Sequence, residues 1–232
     1  MTTVTDERDL RETEMVPKSQ LPTEAVARRA RSIAHLQAEG IPVFADLFVI
    51  ETVEQVFSRT AQEVARRALC LAVVAVHADA QDREWTLELL NELDLEPDLS
   101  PQERSFLATP DIDQQLVAKF SWRYEAMLPL LWAIGFAPEL PRPDHQINVP
   151  EVLQPIVKLK FGELEKQARL RPADELLDAT DLTLRYNWAV RDNWIKGLPP
   201  PSGLDQGVVA ERHQALNWLI RDEPWDDVDT AT

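Results

Sequence analysis

Helix start and stop signals divide most of this 232-residue sequence into helical segments. The chain has 17 prolines but only 6 glycines, a balance that fits helices joined by proline-marked loops. Thr60 and Ser100 are each followed three residues later by Glu, which is the spacing of a capping box. The one strand candidate, residues 43–50, is interrupted by Asp46. We therefore predict an all-α, single-domain bundle of about eight helices.

Capping residues, prolines and glycines also set the bounds of the predicted elements. The predicted helices span residues 23–40, 60–76, 85–93, 100–109, 111–134, 150–167, 172–197 and 206–221. Pro129 lies inside the fifth of these helices, so we expect a kink there. Residues 1–20 are predicted to be a mobile polar leader, residues 21–222 the helical domain, and residues 223–232 an acidic tail.

The net charge of −16 restricts the partners that this chain would bind. It argues against nucleic acid and anionic membranes, because both are recognised through clustered basic residues. Residues 79–113 contain eleven acids and two bases, with Trp85 and several leucines interleaved. The simple interpretation is a set of solvated helix faces, and the functional one is a surface for a basic protein partner. The oligomeric state is left open.

A single cysteine, Cys70, excludes an intramolecular disulfide and fits a reducing cytoplasm. We expect Cys70 to be a small buried residue within the apolar run of residues 68–76. That run is too short to span a bilayer. The first 20 residues carry acids where a signal peptide would carry basic residues. These features predict a cytoplasmic protein.

Six of the seven tryptophans lie between Trp122 and Trp225, and most stand beside arginines or carboxylates. The clusters occupy residues 122–125, 185–188 and 211–218. A buried tryptophan needs a partner for its N–H, and arginine is rarely buried unless paired. We therefore expect these three helices to pack together and share one polar network, which is either the floor of a pocket or the interior of the fold.

The helix over residues 172–197 has a ladder of polar side chains on one face. Asp181 and Arg185 have the favourable i,i+4 order for an ion pair. The alternative is that Asp178 and Asp181 bind a cation or an arginine of a partner. The predicted binding residues are Trp122, Arg123, Glu125, Asp178, Asp181, Arg185, Trp188 and Trp218.

His213 raises the possibility of an enzyme. In the functional interpretation, His213 is a general base oriented by a carboxylate. In the structural interpretation, it is a core histidine. The candidate catalytic residues are His213, Glu211 and Arg212, and a hydrolase pocket would add Asp178 and Asp181. Arg212 lies among apolar residues and needs a carboxylate from Glu125, Asp178 or Asp181. No Glu-x-x-His or other metal or phosphate motif occurs, so neither metal nor cofactor is expected.

Several motifs identify a family resemblance over about residues 28–230. They include Trp122-Arg123-Tyr124-Glu125, Arg185-Tyr186-x-Trp188-Ala189-Val190-Arg191-Asp192 and Glu211-Arg212-His213-x-Ala215-Leu216-Asn217-Trp218-Leu219. The chain resembles an uncharacterised, largely bacterial family catalogued as a domain of unknown function. The resemblance implies no particular activity or catalytic residue. The sequence therefore favours an interaction module that binds or neutralises a basic partner, in an immunity-like or regulatory role. A hydrolase is the alternative.

Overall fold

The computed structural model describes residues 21–159 and 163–231, and over these ranges the chain contains helices, turns and loops but no strand. The α-helices are α1 (Thr23–Ala38), α2 (Ala61–Ala80), α3 (Arg83–Glu92), α4 (Pro101–Ala108), α5 (Gln114–Ser121), α6 (Arg123–Ala133), α7 (Val149–Lys158), α8 (Leu164–Gln167), α9 (Ala173–Ile195) and α10 (Gln206–Ile220). The predicted all-α, single-domain class is confirmed. The predicted leader, residues 1–20, lies outside the described residues.

Both predicted capping boxes are confirmed. The Thr60 hydroxyl accepts from the Glu63 backbone N–H at 3.2 Å, and the Glu63 carboxylate accepts from the Thr60 N–H at 2.7 Å. Ser100 and Glu103 form the same reciprocal pair at the start of α4, at 3.2 and 2.8 Å. Each box satisfies two backbone donors that a helix otherwise leaves unpaired, and an N-cap of this type typically stabilises by ~1 kcal/mol.

The predicted helix over residues 111–134 is interrupted, and the interruption is at Trp122 rather than at Pro129. Asp113 caps α5, since its side chain accepts from the Leu116 N–H at 2.8 Å, and Pro129 lies inside the continuous α6. The two helices differ in burial: α5 buries Phe120 alone, whereas α6 is buried throughout. The break at Trp122 thus separates a surface helix from a core helix.

Three smaller expectations also differ from the structure. In the first helix, Pro22 rather than Thr23 occupies the N-cap position, and no side chain caps the helix. The predicted helix over residues 150–167 forms two elements, α7 and α8. Residues 43–50 form no strand but a loop, in which Leu47 and Ile50 are buried.

Helix α6 is the centre of the core. All eleven of its residues are buried, and it packs against α2 on one side and α10 on the other. Helix α10 also packs against α9, and α9 against α1. Each large apolar side chain buried in this way stabilises the fold by ~1.5–3 kcal/mol. Helix α2 is the other deeply buried element and contains Cys70, which is fully buried as predicted. No helix in the described ranges is long and apolar enough to cross a membrane.

The start of the predicted acidic tail is anchored to the core. Trp225 is 4 % exposed and meets Trp218 edge-on, with ring centroids 5.8 Å apart. The Arg67 guanidinium lies 5.1 Å from the centre of the Trp225 ring. Arg59 donates to the backbone carbonyls of Trp218, Arg221 and Glu223 at 2.7, 2.8 and 2.7 Å. The boundary at residue 222 stays a prediction, but Trp225 contributes to the core of the helical domain.

We expect Trp225→Ala to lower the free energy of unfolding by about 3–5 kcal/mol, because it removes a large buried aromatic ring and leaves a cavity. Trp194→Ala is the matched control, since Trp194 is 67 % exposed. Its expected effect is within about 0.5 kcal/mol of zero. Urea unfolding of both variants checks this. Equal effects of the two substitutions would contradict the docked position of Trp225.

Candidate functional site

Helices α6 and α10 form two ion pairs with each other near the centre of the fold. Arg123 Nη1 of α6 donates to Glu211 Oε2 of α10 at 2.8 Å. In the opposite sense, Arg212 Nη2 of α10 donates to Glu125 Oε2 of α6 at 3.3 Å. We call these four side chains the α6–α10 polar layer. Arg123, Glu125 and Arg212 are buried, so each requires the partner that the facing helix supplies, whereas Glu211 is partly exposed.

The loop between α6 and α7 closes over the polar layer. The backbone N–H of Ile147 donates to Glu125 Oε1 at 2.7 Å, and Arg212 Nη1 donates to the carbonyl of Pro141 at 2.6 Å. Burial raises the pKa of Glu125, although the Ile147 N–H and Arg212 favour its charged form. Burial also lowers the pKa of the Arg212 guanidinium, against the opposing charge of Glu125. For Glu125 and Arg212, the partners therefore offset the cost of burial only in part.

His213 is next to this layer in sequence but belongs to a different environment. Its side chain is fully buried, and its Nε2 lies 3.2 Å from the amide nitrogen of Asn217. Burial lowers the pKa of His213 to about 4, so the ring is neutral at pH 7. In the described residues no carboxylate is hydrogen bonded to it. This is the environment of a core histidine and not that of an oriented general base.

The second tryptophan cluster is separate from the polar layer. Arg185 binds Asp181 on its own helix, with distances of 2.7 and 2.9 Å from Nη2 and Nε. Both side chains are almost fully buried, so the predicted i,i+4 pair is present and internal. Asp178 is held by Arg31 of α1 at 2.6 Å and by Arg28 at 3.2 Å. The two aspartates are therefore each bound to arginines of this chain.

The five residues of the predicted hydrolase pocket thus lie in different networks. Glu211 and Arg212 pair with α6, His213 with Asn217, Asp181 with Arg185, and Asp178 with α1. Within residues 21–159 and 163–231, no group of three or more His, Cys, Asp and Glu side chains is arranged to hold a metal ion. None of the five cavities described is lined by more than one of these five residues.

The predicted tryptophans make close packing contacts. The Trp122 ring lies against Gly207 of α10, so closely that a methyl group at that position would be 2.5 Å from the ring. Trp188 stacks on Phe44, with centroids 5.6 Å apart, and Trp218 lies 4.0 Å from the Arg59 guanidinium. Glycine at position 207 is thus required by the close approach of α10 to an aromatic ring, a constraint that helix propensity alone does not reveal.

The acidic stretch forms the most distinctive exposed surface. Glu84, Glu88 and Glu92 are all exposed and recur every four residues, so they form one stripe along α3. No ion pair joins these three carboxylates to a base in the described part of the chain. Trp85 and Leu87, on the same helix, are 39 % and 49 % exposed. Acidic and apolar surface are therefore presented together.

A groove with a volume of about 290 Å³ lies on the neighbouring face of α3, and none of the three stripe glutamates lines it. Leu87 and Leu90 of α3 line it together with Leu99 and Leu107, which lie before and within α4. Its polar lining includes Arg83, Asn91, Asp94, Glu96 and Arg104. We call this groove and the adjoining glutamate stripe the acidic groove. The sequence indicated the acids and Trp85, but the leucines that meet in the groove come from separate elements and could not be grouped from spacing.

The burial of His213 predicts a specific pH dependence. Its folded pKa of about 4 is below the ordinary value of 6.5. Between these two pH values, the unfolded chain therefore binds a proton that the folded chain does not. The resulting stability is present above pH 6.5 and is lost as the pH falls towards 4, by about 3 kcal/mol in total.

We expect His213→Gln to reduce the loss of stability between pH 7 and pH 4.5, measured by urea unfolding at each pH. The burial argument fails if His213→Gln and wild type lose stability in parallel over this range.

Comparison with known proteins agrees with the resemblance seen in the sequence. No curated protein and no solved structure matches the chain at a significant level. The family described as a domain of unknown function, DUF4272, matches residues 28–228, which include α2 to α10 in full and most of α1. Because this match extends over far more than half of its residues, the chain belongs to the DUF4272 family.

Proposed function

We propose that this protein is an interaction module whose acidic groove binds a basic segment of a protein partner. The observation that carries the proposal is the stripe of Glu84, Glu88 and Glu92, which has no ion pair within the described residues and lies on the same helix as two leucines of the groove. A binding surface for a cationic segment requires both features. The carboxylates supply attraction and orientation, and the apolar groove supplies affinity.

The charge distribution supports a basic occupant. Residues 79–113 hold eleven acids and two bases, a net charge of −9 within the −16 of the whole chain. Like charges four residues apart destabilise a helix by about 0.2–0.5 kcal/mol per pair. A lysine or arginine placed between two of the glutamates would remove that repulsion. The same field would speed the association of a cationic partner, with a rate that falls as salt is added.

The exposed apolar side chains indicate what the basic segment must contain. Trp85 and Leu87 stand in solvent beside the glutamates, and tryptophan is the residue most enriched at binding hot spots. Leu90, Leu99 and Leu107 also line the groove, although they are largely buried, so Leu87 is its exposed apolar contact. The occupant is therefore a segment with an apolar anchor flanked by lysines or arginines.

The proposal gives the protein a neutralising or regulatory role, in which it covers a basic surface of its partner. We also propose that it works in a bacterial cytoplasm. Cys70 supports a reducing compartment, because it is the only cysteine, and burial raises the pKa of its thiol to about 12. The hydrolase alternative has less support, since its five residues belong to different ion-pair and hydrogen-bond networks.

We expect the triple variant Glu84→Gln, Glu88→Gln, Glu92→Gln to lose its partner. Wild type, this variant and a control are immobilised, and proteins captured from the native host are identified by mass spectrometry. The control is Glu54→Gln, Glu139→Gln, Glu151→Gln, which removes the same charge from three exposed glutamates in other parts of the fold. Support requires a basic protein held by wild type and control and lost by the α3 variant at least tenfold, with binding that weakens as salt increases.

Two results would count against the acidic groove. One is that no stoichiometric partner is captured by wild type. The other is that a partner is captured equally by all three forms. Circular dichroism of the α3 variant should show the wild-type helix content, because the three substitutions remove exposed charges and no buried contact. Loss of binding then reports on the surface and not on the fold.

A further inference from the structure

A recess at the junction of α5 and α6 differs in charge from the other cavities of the fold. It has a volume of about 240 Å³ and is bounded by the end of α2, by α5, by the start of α6 and by the loop before α7. None of its lining residues belongs to the acidic groove. We call it the Trp122 cavity. Its mostly apolar walls with a few polar groups have the general form of a small-molecule site, and they include Trp122, Tyr124, Ile147 and Val149.

The charged groups that line the Trp122 cavity are both acidic. Asp79 and Glu125 contribute carboxylates, and no Lys, Arg or His of the described residues lines it. Each of the other four cavities described has at least one basic side chain in its lining. Glu125 is paired with Arg212, whereas Asp79 has no ion pair within residues 21–159 and 163–231. Asp79 is therefore the charge that a cation entering the cavity would meet.

Asp79 is exposed, and its neighbours hold its carboxylate in place. It lies in the last turn of α2, where the partial negative charge at the carbonyl end of a helix favours a cation. Ser121 Oγ donates to Asp79 Oδ1 at 2.8 Å. Burial raises the pKa of Tyr124, and the charge of Asp79 and a hydrogen bond to it raise this pKa further, so the hydroxyl remains a donor. A carboxylate accepts about four hydrogen bonds, so Asp79 is oriented by two donors and retains acceptor sites for a ligand.

The aromatic side chain of Trp122 adds a second attraction for a cation. Trp122 is partly exposed, and its ring lies so close to Gly207 that α10 holds it in position. Among aromatic rings, that of tryptophan attracts a cation most strongly, and the attraction grows as the cation is removed from water. The same ring offers apolar contact to the hydrocarbon part of an organic ion.

We propose that the Trp122 cavity binds a small organic monocation, a primary alkylammonium ion whose nitrogen donates to Asp79 and whose hydrocarbon part packs against Trp122 and Ile147. The three N–H donors of a primary ammonium group match the acceptor sites left on Asp79. An anion is disfavoured by the two carboxylates of the lining. A metal ion is disfavoured as well, because no group of three or more His, Cys, Asp and Glu side chains in the described ranges is arranged to hold one.

Titration of the full chain with matched amines and alcohols tests the proposal by ¹H–¹⁵N NMR. Butylamine and benzylamine are protonated at pH 7, and 1-butanol and benzyl alcohol have nearly the same shape without the charge. The reporters are the Trp122 indole N–H and the Ile147 backbone N–H, both assigned in the wild-type chain. We expect at least one amine to shift these signals saturably, with an affinity at least about tenfold above that of its alcohol.

Asp79→Asn removes the unpaired charge from the cavity. The side chain is exposed and the amide oxygen can still accept from Ser121, so circular dichroism should show the wild-type helix content. Asp111→Asn is the matched control, because Asp111 is exposed, belongs to the same acidic stretch and lines none of the five cavities described. We expect Asp79→Asn to weaken amine binding at least about tenfold and Asp111→Asn to change it less than about twofold.

Three results would overturn the proposal. One is that neither amine shifts the two signals at millimolar concentration. Another is that each alcohol binds as tightly as its amine, a comparison that uses wild type alone and decides even if Asp79→Asn fails to fold. The third is equal weakening by Asp79→Asn and Asp111→Asn, which would mean that only the net charge of the chain attracts the amines. Because the Trp122 cavity and the acidic groove share no residue, either proposal can fail without the other.

Discussion

The two ion pairs of opposite orientation between α6 and α10 are the interaction on which the rest of the structure depends. Every residue of α6 is buried, so Arg123 and Glu125 cannot be solvated and must find partners inside the protein. Glu211 and Arg212 of α10 provide them. A helix that is apolar on all sides could rotate between several packings, whereas two opposed ion pairs fix both its rotation and its position along α10.

This fixed pair of helices positions the surrounding features. The Pro141 carbonyl and the Ile147 N–H bind its charges, so the loop after α6 is held in place. Glu125 lines one cavity and Arg212 another, which places the ion pair in the wall between two recesses. The acidic groove lies elsewhere, on helices that present their charges to solvent.

Local signals explain why much of the fold could be predicted. The Thr60 and Ser100 capping boxes depend on residues three apart, and the 172–197 and 206–221 helices are confirmed within two residues because prolines and glycines bound them. The break at Trp122 depends on what α6 packs against, so spacing could not locate it. The sequence limited the partner of Arg212 to three acids but could not choose among them. The choice of Glu125 follows from tertiary packing, since Arg28 and Arg31 of α1 occupy Asp178 and Arg185 occupies Asp181.

A double-mutant cycle on Glu125 and Arg212 tests the central role of the ion pairs between α6 and α10 most directly. Each single variant, Glu125→Leu or Arg212→Met, leaves a buried charge unpaired and should destabilise by about 3–5 kcal/mol in urea unfolding. The double variant removes both charges and should recover most of that loss, giving a large coupling energy. The exposed pair Lys166–Glu163, with side chains 71 % and 47 % exposed, is the control and should show a coupling below ~1 kcal/mol. Additive effects at Glu125 and Arg212, with a coupling no larger than that of the control, would contradict the account.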